Sequence, residues 1–300
     1  MPNNKTIEFQ LNQQVLTDFF QLTKVRLSVS VVVSSIAGYF LAVDLIDVII
    51  LLLLTVGGFS MVGASNVFNQ IFEKDLDKLM SRTKKRPLPD ERMQIKTAML
   101  IGVILTLIGI FSLYLINIKT AFFASVSTFI YTCLYTPLKQ KTPLSVFVGA
   151  FPGAIPFMLG WVAATNEFGI EPGILFMLQF FWQFPHFWAI GWLMHDQYKS
   201  AGFKMLPSGE RDQSTAFQIV FYTFWTILIS IIPAFEYTGR LYISEYALIL
   251  VFIFGAIFLY YAFRLMVLKS DFAARMLLRV SIIYITCVQI IYVSDKILFQ

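Results

Sequence analysis

Nine stretches of roughly 17–25 mainly apolar residues follow one another along this chain, near 27–43, 46–68, 96–116, 120–136, 144–164, 173–195, 215–235, 244–266 and 277–298. Each is long enough to cross a bilayer as a helix. The first two are separated only by the turn around Asp44–Asp47. The fifth carries Gly149, Pro152, Gly153, Pro156 and Gly160, which predicts a kinked helix. Composition agrees: 57% of the 300 residues are hydrophobic and 14% charged, with 31 phenylalanines, against about 25% charged in a soluble domain. A water-facing exterior cannot carry that much apolar surface. The expected fold is all-α, a polytopic membrane helix bundle of nine transmembrane helices forming one domain over 1–300.

Nine crossings make the connections alternate between two sides, and the basic residues segregate accordingly. Lys5, Lys24 and Arg26 precede the first span. Lys74, Lys78, Arg82, Lys84, Lys85, Arg86, Arg92 and Lys96 follow the second, Lys139 and Lys141 the fourth, Lys199, Lys204 and Arg211 the sixth, and Arg264, Lys269, Arg275 and Arg279 the eighth. Twenty of the 23 basic residues thus share one side, leaving Lys119, Arg240 and Lys296 on the other. The positive-inside rule makes the crowded side, and with it the amino terminus, cytoplasmic. The net charge of +5 is then loop bias and attraction to anionic lipid, not a nucleic-acid signal. Residues 1–25 have neither the apolar region nor the cleavage site of a signal peptide; Leu11, Val15, Phe19, Phe20 and Leu22 suit a short interfacial helix. Cys133 and Cys287 are isolated within spans and support neither a disulfide framework nor a zinc site.

The second span runs into a polar segment in which Asn69, Glu73 and Asp77 recur every four residues. On a helix they form one stripe, each member about 6 Å beyond the last. Three oxygen-bearing side chains on one face suit a hard cation, and Mg²⁺ takes one or two carboxylates together with waters and phosphate oxygens. Arg82 and Arg86 follow, again four apart, and guanidinium forks match phosphate oxygens. The pattern fits Mg²⁺–diphosphate binding. The plainer alternative is a solvated basic loop.

The sixth span holds Trp182, Gln183, Pro185, His186 and Trp188, and ends in His195, Asp196, Tyr198, Lys199 and Lys204 on the side of the first cluster. Asp196 and Lys199 suit a weaker second metal–phosphate contact, although a lone loop aspartate more often caps a helix. His186 lies two to three turns inside the span, where an ionisable group is a candidate for function; it can ligate haem iron, bond a buried polar ligand, or bond a neighbouring helix.

These segments together resemble the intramembrane aromatic prenyltransferase superfamily, the family of 4-hydroxybenzoate polyprenyltransferase, and within it most resemble the haem O synthase branch. The superfamily motif Asn-x-x-x-Asp-x-x-x-Asp falls on Asn69, Glu73 and Asp77, with Glu at the middle position. The stretch from Asp77 to Leu88, with Met80, Arg82-Thr83 and Arg86-Pro87-Leu88, is similar to the haem-using branch. Further blocks are Leu22 to Arg26 (Val25 where Pro is usual), Tyr135 to Lys139, Gly149 to Trp161, Pro185-His186-Phe187, and Asp196 to Pro207. In the last of these Ser200 stands where the superfamily carries a second Asp. The resemblance covers residues 18–295, in order.

The resemblance implies transfer of a farnesyl group from farnesyl diphosphate to a vinyl group of haem B with addition of water, giving haem O and diphosphate. It implies Mg²⁺ on Asn69, Glu73, Asp77 and Asp196. Arg82, Arg86 and Lys139 are expected at the diphosphate, with Tyr135, Lys199, Lys204 and His186 at the substrates. Phe184, Phe187 and Trp188 offer faces to a carbocation. Haem B is a substrate here, not a cofactor. The expected location is the bacterial cytoplasmic (inner) membrane with the site facing the cytoplasm, and the implied protein partners are haem A synthase or terminal oxidase assembly. The nearest competing reading is a polyprenyltransferase for a quinone precursor. A transporter is the alternative from another class, but the halves show no repeat and the polar clusters lie at one face instead of the midplane.

Overall fold

The computed structural model describes the backbone of residues 4–235 and 237–299, and side chains from residue 13 onward within those limits. The side chains of Lys5 and Leu11 fall outside the described residues. Thirteen helices follow in order: α1 Asn4–Thr23, α2 Val25–Ala42, α3 Val48–Phe72, α4 Lys74–Lys78, α5 Ile95–Ile116, α6 Ile118–Phe129, α7 Thr136–Leu138, α8 Ser145–Thr165, α9 Ile170–Leu193, α10 His195–Ser200, α11 Gln213–Ile231, α12 Glu245–Leu268 and α13 Asp271–Phe299. A π-helical turn, Ile130–Tyr135, joins α6 to α7, and a 3₁₀ turn, Ile232–Phe235, extends α11. There is no strand among the described residues.

The chain is a multi-pass membrane protein. Among the described residues, eight helical segments are long and apolar enough to cross a bilayer. The expected sixth span, α9, has 24 residues but is not among the eight, because Gln, Pro, His and Trp dilute its apolar character. Its surroundings account for that composition. It packs between α8, α11 and α13, and Met177 is the one exposed residue between Glu171 and Leu193. The bundle is a closed ring in which α2, α3, α5, α6, α8, α9, α11, α12 and α13 each pack on the next, and α13 returns to α2.

Helix starts follow side-chain chemistry. Asp47, Asn117, Asp212 and Ser244 each accept a hydrogen bond from a backbone N–H of the first turn they precede. α8 runs as one helix through Pro152 and Pro156. Pro156 has no N–H for the Pro152 carbonyl, and Ser127 Oγ on α6 donates to that oxygen instead, at 3.2 Å. Where α8 meets α2 the backbones touch: a Cβ on Gly160 would lie 1.8 Å from the Ser35 carbonyl oxygen, and one on Gly38 2.0 Å from that of Phe157.

The three basic residues outside the crowded side share one role. Lys119 Nζ donates to the Asn166 carbonyl, Arg240 Nη2 to Ala42, and Lys296 Nζ to Leu41, all at the carboxyl ends of α8 and α2. Orphan helix carbonyls take these cations. At the amino end Val15, Leu16 and Phe20 are exposed, as an interfacial helix requires. Leu22 is not part of that face: it is fully buried against the cluster of Ala64, Val67 and Leu88.

Candidate active site

The polar stripe extends from the end of α3 into α4. The helix breaks at Glu73 (φ −96°, ψ 8°), yet Glu73 N still donates to the Asn69 carbonyl and Asp77 N to that of Glu73. The four-residue register therefore survives the bend, and all three side chains are buried. Around them the fold gathers cations from distant segments. Lys139 Nζ lies 2.8 Å from Glu73 Oε1, and Arg86 Nη1 lies 2.7 Å from Asp77 Oδ2. Arg86 reaches back because 79–94 is a chain of tight turns, with Thr83 Oγ1 bonded to the Asp77 carbonyl at 2.9 Å and Leu88 buried as anchor.

Lys139 is placed by the π-helical turn. Thr136 Oγ1 donates to the Tyr131 carbonyl five residues back, widening the helix just before the lysine. The ammonium sits 4.5 Å from the centroid of the Tyr135 ring, and Tyr135 is seated against Gly149, where a Cβ would lie 2.6 Å from the ring. Burial works against the Lys139 charge, but Glu73 and the neighbouring tyrosines outweigh it and raise its pKa. Burial also pushes Asp77 upward, with Arg86 opposing.

A further cation, Lys24, belongs to this group although spacing alone does not reveal it. It adopts a left-handed conformation (φ 47°, ψ 55°) between α1 and α2. The carbonyls freed there are taken by α3: Gln70 Nε2 donates to Leu22 and Gln21, and Asn66 Nδ2 to Thr23. Burial, then repulsion from Arg86 and Lys139, brings the Lys24 pKa down to about 7. The only earlier signal was its place in the Leu22–Arg26 block.

The oxygen donors fit a hard divalent ion. Thr136 Oγ1, its proton given to Tyr131, accepts from Asn69 Nδ2 at 3.1 Å, so Asn69 leaves its amide oxygen free. Glu73 Oε2 also has no hydrogen-bond partner among the described residues. Asp77 Oδ1 is buried with none, a costly state for a carboxylate oxygen unless a ligand meets it. Among the described residues no three His, Cys, Asp or Glu side chains converge as a metal cluster. Two carboxylates and an amide leave room for phosphate oxygens and waters, as Mg²⁺ prefers.

The other expected residues lie outside this buried group. Arg82 is exposed and unpaired among the described residues. Asp196 is exposed, with both oxygens 3.0 Å from Arg211 Nη2, so it is not in the buried oxygen set. Lys199 pairs with Glu210 at 3.0 Å, and His195 with the same carboxylate at 3.2 Å. Lys204 stitches the two loops together: its N–H donates to the Lys139 carbonyl at 2.7 Å and its Nζ to that of Lys141. Ser81 Oγ donates to Gln197 Oε1, joining the turns after α4 to α10. A cavity of about 300 Å³ opens here, lined by His195, Tyr198, Lys199, Phe203, Lys204 and Leu206. His186 is half-buried inside the bundle, with Nδ1 2.9 Å from Ser281 Oγ on α13. Of the three expected aromatic faces, Phe184 and Trp188 are buried against Tyr222 of α11, and Phe187 stays half-buried beside His186.

The sequence profile of the UbiA prenyltransferase family matches residues 31–283. The chain belongs to the UbiA prenyltransferase family. It is 58% identical over 282 residues, 94% of each chain, to the protoheme IX farnesyltransferase of Christiangramia forsetii. It is 56% identical to that of Flavobacterium psychrophilum, over 95% of this chain and 96% of the other. A solved digeranylgeranylglyceryl phosphate synthase shares the UbiA-type fold with a TM-score of 0.79 at 20% identity, covering 94% of this chain and 98% of that one. A UbiA homologue from Archaeoglobus fulgidus bound to GPP and Mg²⁺ has a TM-score of 0.64 at 13% identity, covering 92% and 99%. The enzyme is therefore a prenyltransferase, and its membership covers both the α3–α4 stripe and the α9–α10 region.

Proposed function

We propose that this prenyltransferase moves the farnesyl group of farnesyl diphosphate onto a vinyl group of haem B, with addition of water, and releases haem O and diphosphate. The observation that carries the reading is the buried group of Glu73 with Lys139 and Asp77 with Arg86, beside three free oxygens on Asn69, Glu73 and Asp77. The relatives above 50% identity named protoheme IX farnesyltransferase support the choice of acceptor.

Ionising the allylic C–O bond builds charge on the leaving diphosphate, and preorganised cations at that point lower the barrier. Arg86 and Lys139 meet that charge without reorganisation, because they already face the carboxylates, and Lys24 adds to their field when protonated. Asn69, Glu73 and Asp77 would hold Mg²⁺, which when bound neutralises part of the diphosphate charge. Tyr135 keeps the Lys139 ammonium aimed at the group. Exposed Arg82, with Lys199 and Lys204 on the facing loop, draws anionic substrates to the mouth. Asp196 would take part in metal binding only on leaving Arg211. The apolar bundle holds the farnesyl chain and porphyrin, and keeps water from the cation until transfer is complete.

The proposed setting is the bacterial cytoplasmic membrane, with nine helices crossing, α9 included, in one domain. The amino terminus and the active site face the cytoplasm, where the basic loops belong. Haem O then passes to haem A synthase or to terminal oxidase assembly. The test is mass spectrometry of haems extracted from cells expressing this chain. A new haem heavier by a hydroxyfarnesyl group is expected. Unchanged haems alongside a prenylated aromatic acid would overturn the acceptor in favour of a quinone precursor.

A further inference from the structure

His186 is held from three directions. Its ring stacks on Trp182, with centroids 4.7 Å apart and planes 24° from parallel. Trp182 is itself pinned, its indole N–H donating to the Ser281 carbonyl at 2.6 Å. Nδ1 lies 2.9 Å from Ser281 Oγ. The direction of that last bond depends on the tautomer of the ring and on where Ser281 sends its proton. A serine hydroxyl has one proton to give, and that of Ser281 goes to the Leu278 carbonyl at 2.8 Å. With its proton on the Leu278 carbonyl, Ser281 Oγ accepts from the ring, which then carries its own proton on Nδ1. In the neutral ring Nε2 is then a bare lone pair. It has no hydrogen-bond partner among the described residues. Phe187 closes one edge of the ring, 5.5 Å between centroids.

A histidine in this tautomer, with its other nitrogen bonded to a neighbouring group, is the form in which proteins present imidazole to a metal. Resting on the reading that haem B is the acceptor, we propose that Ser281 is the positioning residue that fixes His186 as the Nδ1–H tautomer, so that Nε2 donates its lone pair to the iron of the substrate haem. The coordinate bond needs no redox step and releases no proton. Its purpose is orientation: with the iron tethered at α9 and the ring plane set by Trp182, the porphyrin is held in one attitude while its vinyl group is farnesylated. Ser281 itself touches no substrate.

The experiment is ferric haem B titration into detergent-purified wild type, His186→Ala, Ser281→Ala and Ser281→Thr. It is followed by the Soret band and low-spin electron paramagnetic resonance, with farnesyl diphosphate binding and thermal unfolding as checks on folding. Wild type is expected to give a histidine-ligated spectrum that disappears in His186→Ala. Ser281→Ala should retain that spectrum but bind haem about 10–100-fold more weakly, the usual loss when a group supporting a metal-binding histidine is removed. Ser281→Thr, which keeps the hydroxyl, should recover most of the affinity. If His186→Ala abolishes the spectrum while Ser281→Ala binds like wild type, the positioning role of Ser281 is wrong and the His186 contact stands. If His186→Ala matches wild type in spectrum and affinity, ligation is wrong while farnesyl transfer is untouched. A farnesylated haem lacking the hydroxyl, formed by either variant with normal haem affinity, would overturn ligation in favour of a base acting on the added water. Absence of haem binding by wild type, with no haem O in the cell assay, would remove the functional reading and this inference together.

Discussion

Lys139 Nζ and Glu73 Oε1, separated by 66 residues in sequence, meet at 2.8 Å with both side chains buried. Neither helix of the pair could bury its charge alone: the π-helical turn delivers the lysine to the point where α3 breaks and releases the glutamate. Removing one member of a buried pair leaves the other uncompensated, at a cost of about 3–5 kcal/mol. Glu73→Gln should therefore lower the unfolding temperature in detergent and abolish turnover. Glu73→Asp, which keeps the charge, should stay folded and active, with its magnesium requirement shifted upward. Unchanged thermal stability in Glu73→Gln would show that the pair is not formed in the membrane.

Asp77 carries the orphaned oxygen, and Arg86 holds its other one. Asp77→Ala should keep the protein folded enough to bind farnesyl diphosphate but lower turnover about 10²–10³-fold, the scale of losing one preorganised electrostatic group. Extra Mg²⁺ should not restore it. Rescue by magnesium would move the ion away from Asp77.

Arg86→Lys keeps the charge and loses the fork. Losing one charged hydrogen bond, worth about 1.5–3 kcal/mol, should raise the KM for farnesyl diphosphate roughly 10–100-fold in steady-state assays. Wild-type kinetics in this variant would exclude a bidentate role.

Asp212 caps α11, accepting from Thr215 N and Ser208 Oγ, each at 2.8 Å. The backbone N–H of Thr215, first among the causes, holds the carboxyl below its ordinary 3.8. A carboxylate whose pKa is lowered by folding contributes stability that is present above its unfolded pKa and is lost as pH falls through the lower folded value. Asp212→Ala should cost about 1 kcal/mol at neutral pH. The difference in unfolding temperature from wild type should shrink once the pH falls below 3.8. A gap independent of pH would assign the effect to packing.

Gly160→Ala places a methyl 1.8 Å from the Ser35 carbonyl oxygen. Backbone cannot step aside as a side chain does, so α2 and α8 must separate, at about 1–3 kcal/mol. The fall should appear as a lower unfolding temperature. Gly173→Ala, where the added carbon would meet open space, is the control expected to show no clash.

Much of the site was legible as a linear pattern because a helix converts spacing into a face. Asn69, Glu73 and Asp77 could be placed on one stripe from sequence, and the bend at Glu73 did not break their register. The apolar stretches likewise specified membrane helices, since each crossing must satisfy its own backbone and is coded locally. What remained hidden depends on contacts between segments far apart in sequence. Lys24 joined the cations because Asn66 and Gln70 on α3 take the carbonyls of Thr23 and Leu22, just before this left-handed residue. Asp196 fell to Arg211, a choice among several nearby cations that only loop packing makes. His186 met its polar partner in Ser281, 95 residues away. Local periodicity thus determined which residues form helices and which face carries the oxygens. The closing of the ring from α13 back onto α2 decided which partner each polar group met, because burial removes water as an alternative and leaves each donor and acceptor to be satisfied by whatever the fold places beside it.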